Sequence, residues 1–260
     1  MEQANKSIVF EQPINESIRI CLRLEHLFKQ IDRNLENNQS ILNLEPALIS
    51  LVRILEVIDR PDLKSKLTQT LTQQATTLSQ LVKFPQVNTN RLSETLLQLD
   101  ALIDKLHNTN GKIATHLRAN EFLSQVRLQL ATPGGATAFN APSYHLWQYQ
   151  PLEYCSEQLQ QWLKDVEILR DTAELILRLT RESTTPQTIV AKAGFHYQTL
   201  NPSLPCQMIR VIIPATNIFP AMSVGKHRVN IRFLVPNYSD GGHTVQLQHD
   251  LEFELACCRI

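Results

Sequence analysis

The stretch KHRVNIRF, Lys226 to Phe233, decides how the second half of the chain folds. Read with a period of two, it sorts Lys226, Arg228, Asn230 and Arg232 onto one face. His227, Val229, Ile231 and Phe233 fall on the other, the pattern of a half-buried β-strand with a basic outer stripe. The alternation continues on both sides. CQMIRVIIP (206–214) separates Met208, Arg210 and Ile212 from Ile209, Val211 and Ile213. HTVQLQHDLEFELACC (243–258) points Val245, Leu247, Leu251, Phe253 and Leu255 inward and Gln246, Gln248, Asp250, Glu252 and Glu254 outward. Residues 186–260 therefore read as an antiparallel β-domain with one polar face.

Two readings of the basic stripe follow. If KHRVNIRF pairs with the last strand across the turn PNYSDGG, then Lys226, Arg228 and Arg232 lie opposite or diagonal to Asp250, Glu252 and Glu254. Such cross-strand ion pairs each contribute roughly 0.2 to 1 kcal/mol, and the stripe only stabilises a sheet. In the other reading part of the charge is left over, with Arg210 as a further cation, and forms a local anion-binding patch.

Upstream, the period is helical and glycine is nearly absent. In NESIRICLRLEHLFKQIDRNL, Ile20, Leu24, Leu27, Phe28, Ile31 and Leu35 form one stripe behind Asn15, which suits an N-cap. EPALISLVRILEVIDR gives a second helix with Pro46 at its first position and Leu48, Leu51, Val52, Leu55 and Ile58 inward. A third opens at Pro61 with Leu63, Leu67, Leu71, Leu78 and Leu81; a fourth runs from Thr89 to Leu106 and a fifth from Asn120 to Leu130. SYHLWQYQ (143–150) reads as a strand free to join the sheet. One long helix, 154–182, then carries Leu159, Trp162, Leu163, Val166, Leu169, Ala173, Ile176 and Leu177. The fold class is α+β: an N-terminal antiparallel helical bundle, residues 1–185, followed by the C-terminal antiparallel β-domain.

Composition narrows the function. The 260 residues carry 25 basic and 25 acidic side chains, so any basic site is local and a general nucleic-acid binder is disfavoured. No stretch has the length of a membrane span or a signal peptide, which reads as a cytoplasmic protein without membrane insertion. The five cysteines, at 21, 155, 206, 257 and 258, have no C-x-x-C spacing and read as reduced thiols. Cys257 and Cys258 near His227, His243 and His249 lack metal-ligand spacing; the pair reads as a strand end with one thiol buried and one exposed. The PGG turn at 133–135 lacks the ending of a phosphate loop, and no hydrolase, zinc or dinucleotide motif is present. His145 fits either a buried donor or a site residue. The residues support a non-catalytic binding scaffold without cofactor. A small-molecule-binding or nucleic-acid-binding module built on the basic strand 226–232 is the alternative.

FEQPINESIRICLRLEHLF (10–28), NEFLSQVRLQLATPGGATAFNAPSYHLW (120–147), KHRVNIRF (226–233) and DLEFELACC (250–258) together resemble, in order, the signature blocks of the ZapD family of bacterial cell-division proteins. Ala136 and Ala138, and two residues after the double cysteine, depart from the pattern. The resemblance implies a cytoplasmic homodimer that binds the C-terminal tail of the tubulin-like protein FtsZ and crosslinks its protofilaments at mid-cell. It also implies a positively charged pocket for that tail. Cations within or beside the blocks are Arg228, Lys226, Arg232, Arg60, Arg118 and Arg127, with His145 and Trp147 as non-ionic candidates. Arg60 also suits the carbonyl end of the second helix, and Glu121 stands where relatives place a cation.

Overall fold

The computed structural model describes residues 7–36, 40–109, 111–214, 217–239 and 242–260. The chain divides into two units. One is Ile20–Ile176; the other combines the segment up to Arg19 with Leu177–Ile260. The α+β class stands, but the N-terminal segment belongs with the C-terminal strands.

In the helical unit, α1 (Glu16–Glu36) buries Ile20, Leu24, Leu27, Phe28 and Ile31 of the stripe its spacing predicts, while Leu35 is half-buried. Asn15 caps it, its Oδ1 accepting the Ser17 N–H at 2.7 Å. The next helix, α2 (Ile41–Ile58), opens ahead of Pro46 rather than at it. The ring costs one backbone bond, offset by the full burial of Leu44, Ala47 and Leu48 around it. After α3 (Leu63–Gln80) and a single 3-10 turn at Leu81–Lys83, α4 (Thr89–Asn108) packs against α3; Asn88 caps it through the Arg91 N–H. A short helix absent from the sequence reading, α5 (Thr115–Arg118), precedes α6 (Glu121–Leu130), which Asn120 caps.

Two expectations fail here. SYHLWQYQ is not a strand: it enters α7 (Pro142–Trp147), with Pro142 at the helix start and Tyr144 and Trp147 buried at i, i+3. A period of two and a period of three cannot be told apart over six residues, and Pro142 fixes a helical φ. The long helix 154–182 is two, α8 (Leu152–Lys164) and α9 (Glu167–Glu182). At the break, Asp165 N–H bonds Trp162 O at 3.2 Å and Val166 N–H bonds Leu163 O at 3.1 Å. These tight i to i−3 bonds end a helix at a residue of low propensity, without glycine or proline.

The β unit contains two sheets. One has the order β1-β4-β8-β2: β1 (Ser7–Pro13), β4 (Met208–Pro214), β8 (Leu251–Cys258) and β2 (Gln187–Ala191). The other runs β3 (Phe195–Thr199), β6 (Arg228–Val235), β5 (Phe219–Val224), with the two-residue β7 (Val245–Gln246) on β6. Inner residues of both fill one core, including Ile209, Val211, Ile213, Phe253 and Leu255 from the first and Val229, Ile231 and Phe233 from the second. Phe233 and Phe253 meet edge to face at 4.9 Å. On the first sheet's other face, Glu11 receives Arg210 at 2.9 Å and Arg181 at 2.7 Å, so Arg210 is paired with a carboxylate of its own sheet.

The expected hairpin between KHRVNIRF and the last strand does not form beyond β7. The strand expected over 243–258 splits, and β8 crosses into the other sheet between β4 and β2. Two crossings lie side by side. At 192–194 the chain passes from β2 to β3 through Ala193 (φ 47) and Gly194 (φ 70). At 247–250 it returns from β7 to β8. Asp250 ties them, accepting Lys192 Nζ at 2.6 Å and the Ala193 N–H at 3.0 Å, while Gln246 donates to Ala193 O at 3.1 Å. A Cβ on Gly194 would lie 2.5 Å from the Leu247 carbonyl oxygen. Gly194→Ala therefore combines a left-handed backbone with a backbone clash and is expected to lower stability by at least about 2 kcal/mol. Gly225→Ala, in open space and without positive φ, should change it by less than about 1 kcal/mol. Urea unfolding of both variants checks this.

Candidate functional site

The β unit presents the first basic surface. Strand β6 alternates as its sequence requires: Val229, Ile231 and Phe233 are buried, Arg228 and Arg232 exposed. Lys226 and His227 are not on the strand. They form the β5–β6 turn, closed by the Gly225 N–H to Arg228 O at 3.0 Å, and both are exposed. The turn consumes these residues because β5 already ends at Val224.

Register identifies the neighbours of the stripe. Arg232 lies between Phe195 of β3 and Ala221 of β5, Asn230 between Tyr197 and Ser223, and Arg228 beside Thr199. Phe195 is 43% and Tyr197 54% exposed. No strand of this sheet contributes a carboxylate: the sequences are FHYQT, FPAMSV, RVNIRFLV and VQ. Glu252 and Glu254 lie on β8, in register with Val190 and Thr188 in the other sheet, and Asp250 holds the crossing turn. Among the described residues, Lys226, Arg228 and Arg232 have no acidic partner. The outer face thus carries two arginines whose backbone positions are about 13 Å apart along a strand, next to exposed aromatic rings. It can hold an extended chain carrying acidic and apolar side chains.

In the helical unit the sequence-named cations fare differently. Arg118 and Arg127 both bind Asp59, one on each carboxylate oxygen, and Arg118 also donates to Ile58 O at 3.3 Å. Arg118 caps the carbonyl end of α2. Arg60 lines a concavity of about 370 Å³ with Arg23, His26, Leu27, Arg53, Glu56 and Val57. Arg23, His26 and Arg53 are exposed, and the lining has one carboxylate, Glu56. Sequence reasoning missed these three, although Arg23 and His26 stand at i, i+3 on α1 and Arg53 and Glu56 at i, i+3 on α2, with Arg60 two residues past its end.

His145 and Trp147 separate. His145 is exposed, with its ring edge-on to Tyr149 at 5.0 Å. Trp147 is 5% exposed, its indole N–H donating to Gln158 Oε1 at 3.1 Å and its ring packed with Tyr144 and Phe122. It is a core residue that orients α7. Tyr144 donates to Glu45 at 2.6 Å; burial, then that carboxylate, pushes its hydroxyl well above the usual tyrosine range. The PGG turn is closed by Asn140, which accepts from the Thr137 N–H at 2.7 Å and donates to Gly135 O at 3.3 Å. This loop makes its bonds internally and leads into α7, leaving Phe139, Leu146 and Tyr149 exposed. Among the described residues no group of three or more His, Cys, Asp or Glu could hold a metal, and no helix is long and apolar enough to cross a membrane.

Fold and surfaces together define an α+β protein with a helical unit, a two-sheet unit and basic surfaces on each. The sequence profile of the ZapD family, described as a cell division protein, matches residues 22–232. The chain is 46% identical over 255 residues to cell division protein ZapD of Coxiella burnetii (strain RSA 493 / Nine Mile phase I), covering 98% of both chains. It is 35% identical to that of Dechloromonas aromatica (strain RCB) and 33% to that of Azoarcus sp. (strain BH72), each over 97% of this chain and 100% of the relative. The chain belongs to the ZapD family of cell division proteins.

The two sets of cations should separate in stability measurements. Arg118→Ala removes a charge-assisted bond and a helix cap, and is expected to cost about 1 to 3 kcal/mol. Arg228→Ala should stay within about 0.5 kcal/mol, as an exposed side chain without an acidic partner among the described residues. Thermal unfolding monitored by circular dichroism checks both.

Proposed function

We propose that this protein binds the C-terminal tail of FtsZ and, as a homodimer in the cytoplasm, crosslinks FtsZ protofilaments at the mid-cell division site. By this it promotes Z-ring assembly and septum formation, and catalyses no reaction. The observation that carries the reading is the outer face of β6. Arg228 and Arg232 stand there without a carboxylate in their sheet, beside Phe195 and Tyr197, on a chain of a cell-division family. A flexible tail that mixes acidic and apolar residues needs cations next to apolar contacts. Lys226 at the strand's approach extends the surface, and the concavity at Arg23, Arg53 and Arg60 offers a second set of cations. His145, exposed beside Leu146 and Tyr149, supplies a further contact.

Each charge-assisted contact contributes only about 1.5 to 3 kcal/mol, so a single tail is held weakly. A filament displays many tails, and a dimer engaging two filaments gains from effective concentration. Nothing in this mechanism needs a cofactor.

Co-sedimentation with polymerised FtsZ tests the proposal. The Arg228→Glu, Arg232→Glu double variant is expected to lose at least tenfold in bound fraction with its melting temperature unchanged, and the native protein should not pellet with FtsZ lacking its tail. Undiminished bundling by the double variant would refute the role of this face. A steep salt-dependent affinity for DNA or RNA, with none for the tail, would favour a nucleic-acid module instead.

A further inference from the structure

Strand β1 is an edge of the first sheet, joined to β4 along its whole length and to no strand on its other side. The direction of its main-chain groups follows from the register. Ile14 stands one step beyond the Pro13–Met208 pair, and its N–H donates to Gln207 O at 2.8 Å. Residues in phase with it, Ile8, Phe10 and Gln12, therefore turn their N–H and C=O toward β4. Ser7, Val9 and Glu11 turn theirs outward, and Pro13, which has no N–H, falls in the same phase. Among the described residues, the main chain of Ser7, Val9 and Glu11 bonds no further segment on that side. Ile8 and Val9 are 38% and 44% exposed.

The other edges are shorter or blunted. The Phe233 N–H bonds Gly194 O and Phe233 O receives the Leu247 N–H, so both of its groups face away from β5. Pro220, in register with Phe233, thus turns its nitrogen to the free edge of β5, where it has no proton to give. At β3, a strand of five residues, the Phe195 N–H is spent on Lys192 O at 2.9 Å; β2 also has five residues. By contrast β1 has none of the devices that keep an edge from pairing. Its sequence, SIVFEQP, has no lysine and no proline before the last residue, and its register with β4 runs without a bulge.

The strand is also self-complementary. Set antiparallel to a second copy with the twofold axis at Val9, it places Val9 against the partner's Val9 and Ser7 against the partner's Glu11. All are outward-facing residues, so each such pair exchanges two main-chain hydrogen bonds. Between them Ile8 meets the partner's Phe10, on the face where Phe10 packs against the core. Each Glu11, already held by Arg210 and Arg181, lies opposite a serine. An axis at Glu11 would instead oppose two carboxylates, and one at Ser7 would carry the rest of β1 past the start of the partner's strand.

We propose that two copies of this chain associate through β1, so that two four-stranded sheets become one continuous sheet across the axis. The proposal rests on the homodimer reading above and names its contact. Main-chain bonds join the two β units, each carrying its own basic β6 face, which gives a crosslinker two docking surfaces in one particle.

Sedimentation velocity of the full-length protein and oxidative crosslinking test this. The native protein is expected to sediment as a dimer. Val9→Pro deletes an outward N–H that bonds nothing within the protomer, and Val9→Lys sets two ammonium groups against each other across the axis. Each should raise the dimer dissociation constant at least about tenfold, with β-sheet circular dichroism and a cooperative melt retained. Val9→Cys brings two thiols to the axis, where the Cα atoms of a hydrogen-bonded pair lie about 5.5 Å apart, within disulfide reach. Mild oxidation should link the two introduced cysteines, as read by non-reducing peptide mapping. Ser7→Cys, whose two copies stand about 13 Å apart along the strand, should give no such link. A native dimer that both Val9 variants leave intact, or one that crosslinks at position 7 and not at 9, would overturn the β1 contact and leave the homodimer reading standing. A native protein that sediments as a monomer would overturn both.

Discussion

The β unit depends on two chain crossings that lean on each other. Gly194 presses against the Leu247 backbone, and Asp250 binds both Lys192 and the Ala193 N–H, so the path from β2 to β3 and the path from β7 to β8 are fixed as one junction. The junction sends β8 to the first sheet and keeps β6 in the second. It thereby removes the acidic strand from the basic one. Asp250, which the alternation places opposite the stripe, instead closes a turn, and its neighbour Lys192 holds its carboxyl below the usual carboxylate range. The exposed cations of β6 follow from a constraint set by a glycine in the crossing between β2 and β3.

Much of this was legible in the sequence. Period alone found Val229, Ile231 and Phe233 of β6 and most of the inward stripes of α1 and α2, though it misplaced His227, and Asn15 marked a helix start by its chemistry. Sheet partnership was not legible. Alternation tells which face of β8 is buried, but both sheets bury the same kind of face, so the choice between β6 and β4 depends on Gly194, whose close contact lies more than fifty positions away. The strand expected at 143–150 failed because a six-residue helix is too short to show its period. The break at Asp165 failed because it carries no glycine or proline.

The site was legible in part for the same reason. Local pattern named Arg228 and Arg232, and the structure leaves them exposed. It also named Arg118 and Arg127, which Asp59 engages together, a pairing across three elements that no local spacing reveals. Trp147 was chosen for its neighbours in sequence, and its burial answers to Gln158 and Phe122. The cluster of Arg23, His26 and Arg53 was missed because it joins two helices, each of which shows an ordinary solvated face alone. Guanidinium groups as exposed as those of β6 act over a Debye length of about 8 Å, so a partner must bring its charges onto the strand to feel them.

The most direct test of the central claim, that the outer face of β6 is the docking surface, is an amide chemical-shift titration of the full-length protein with a peptide of the cognate FtsZ tail. The account predicts saturable shifts centred on Phe195, Tyr197, Arg228, Asn230 and Arg232, reduced by added salt, with Glu252 and Glu254 unmoved. Shifts confined to the helices, or absent from β3 and β6 at saturation, would contradict it.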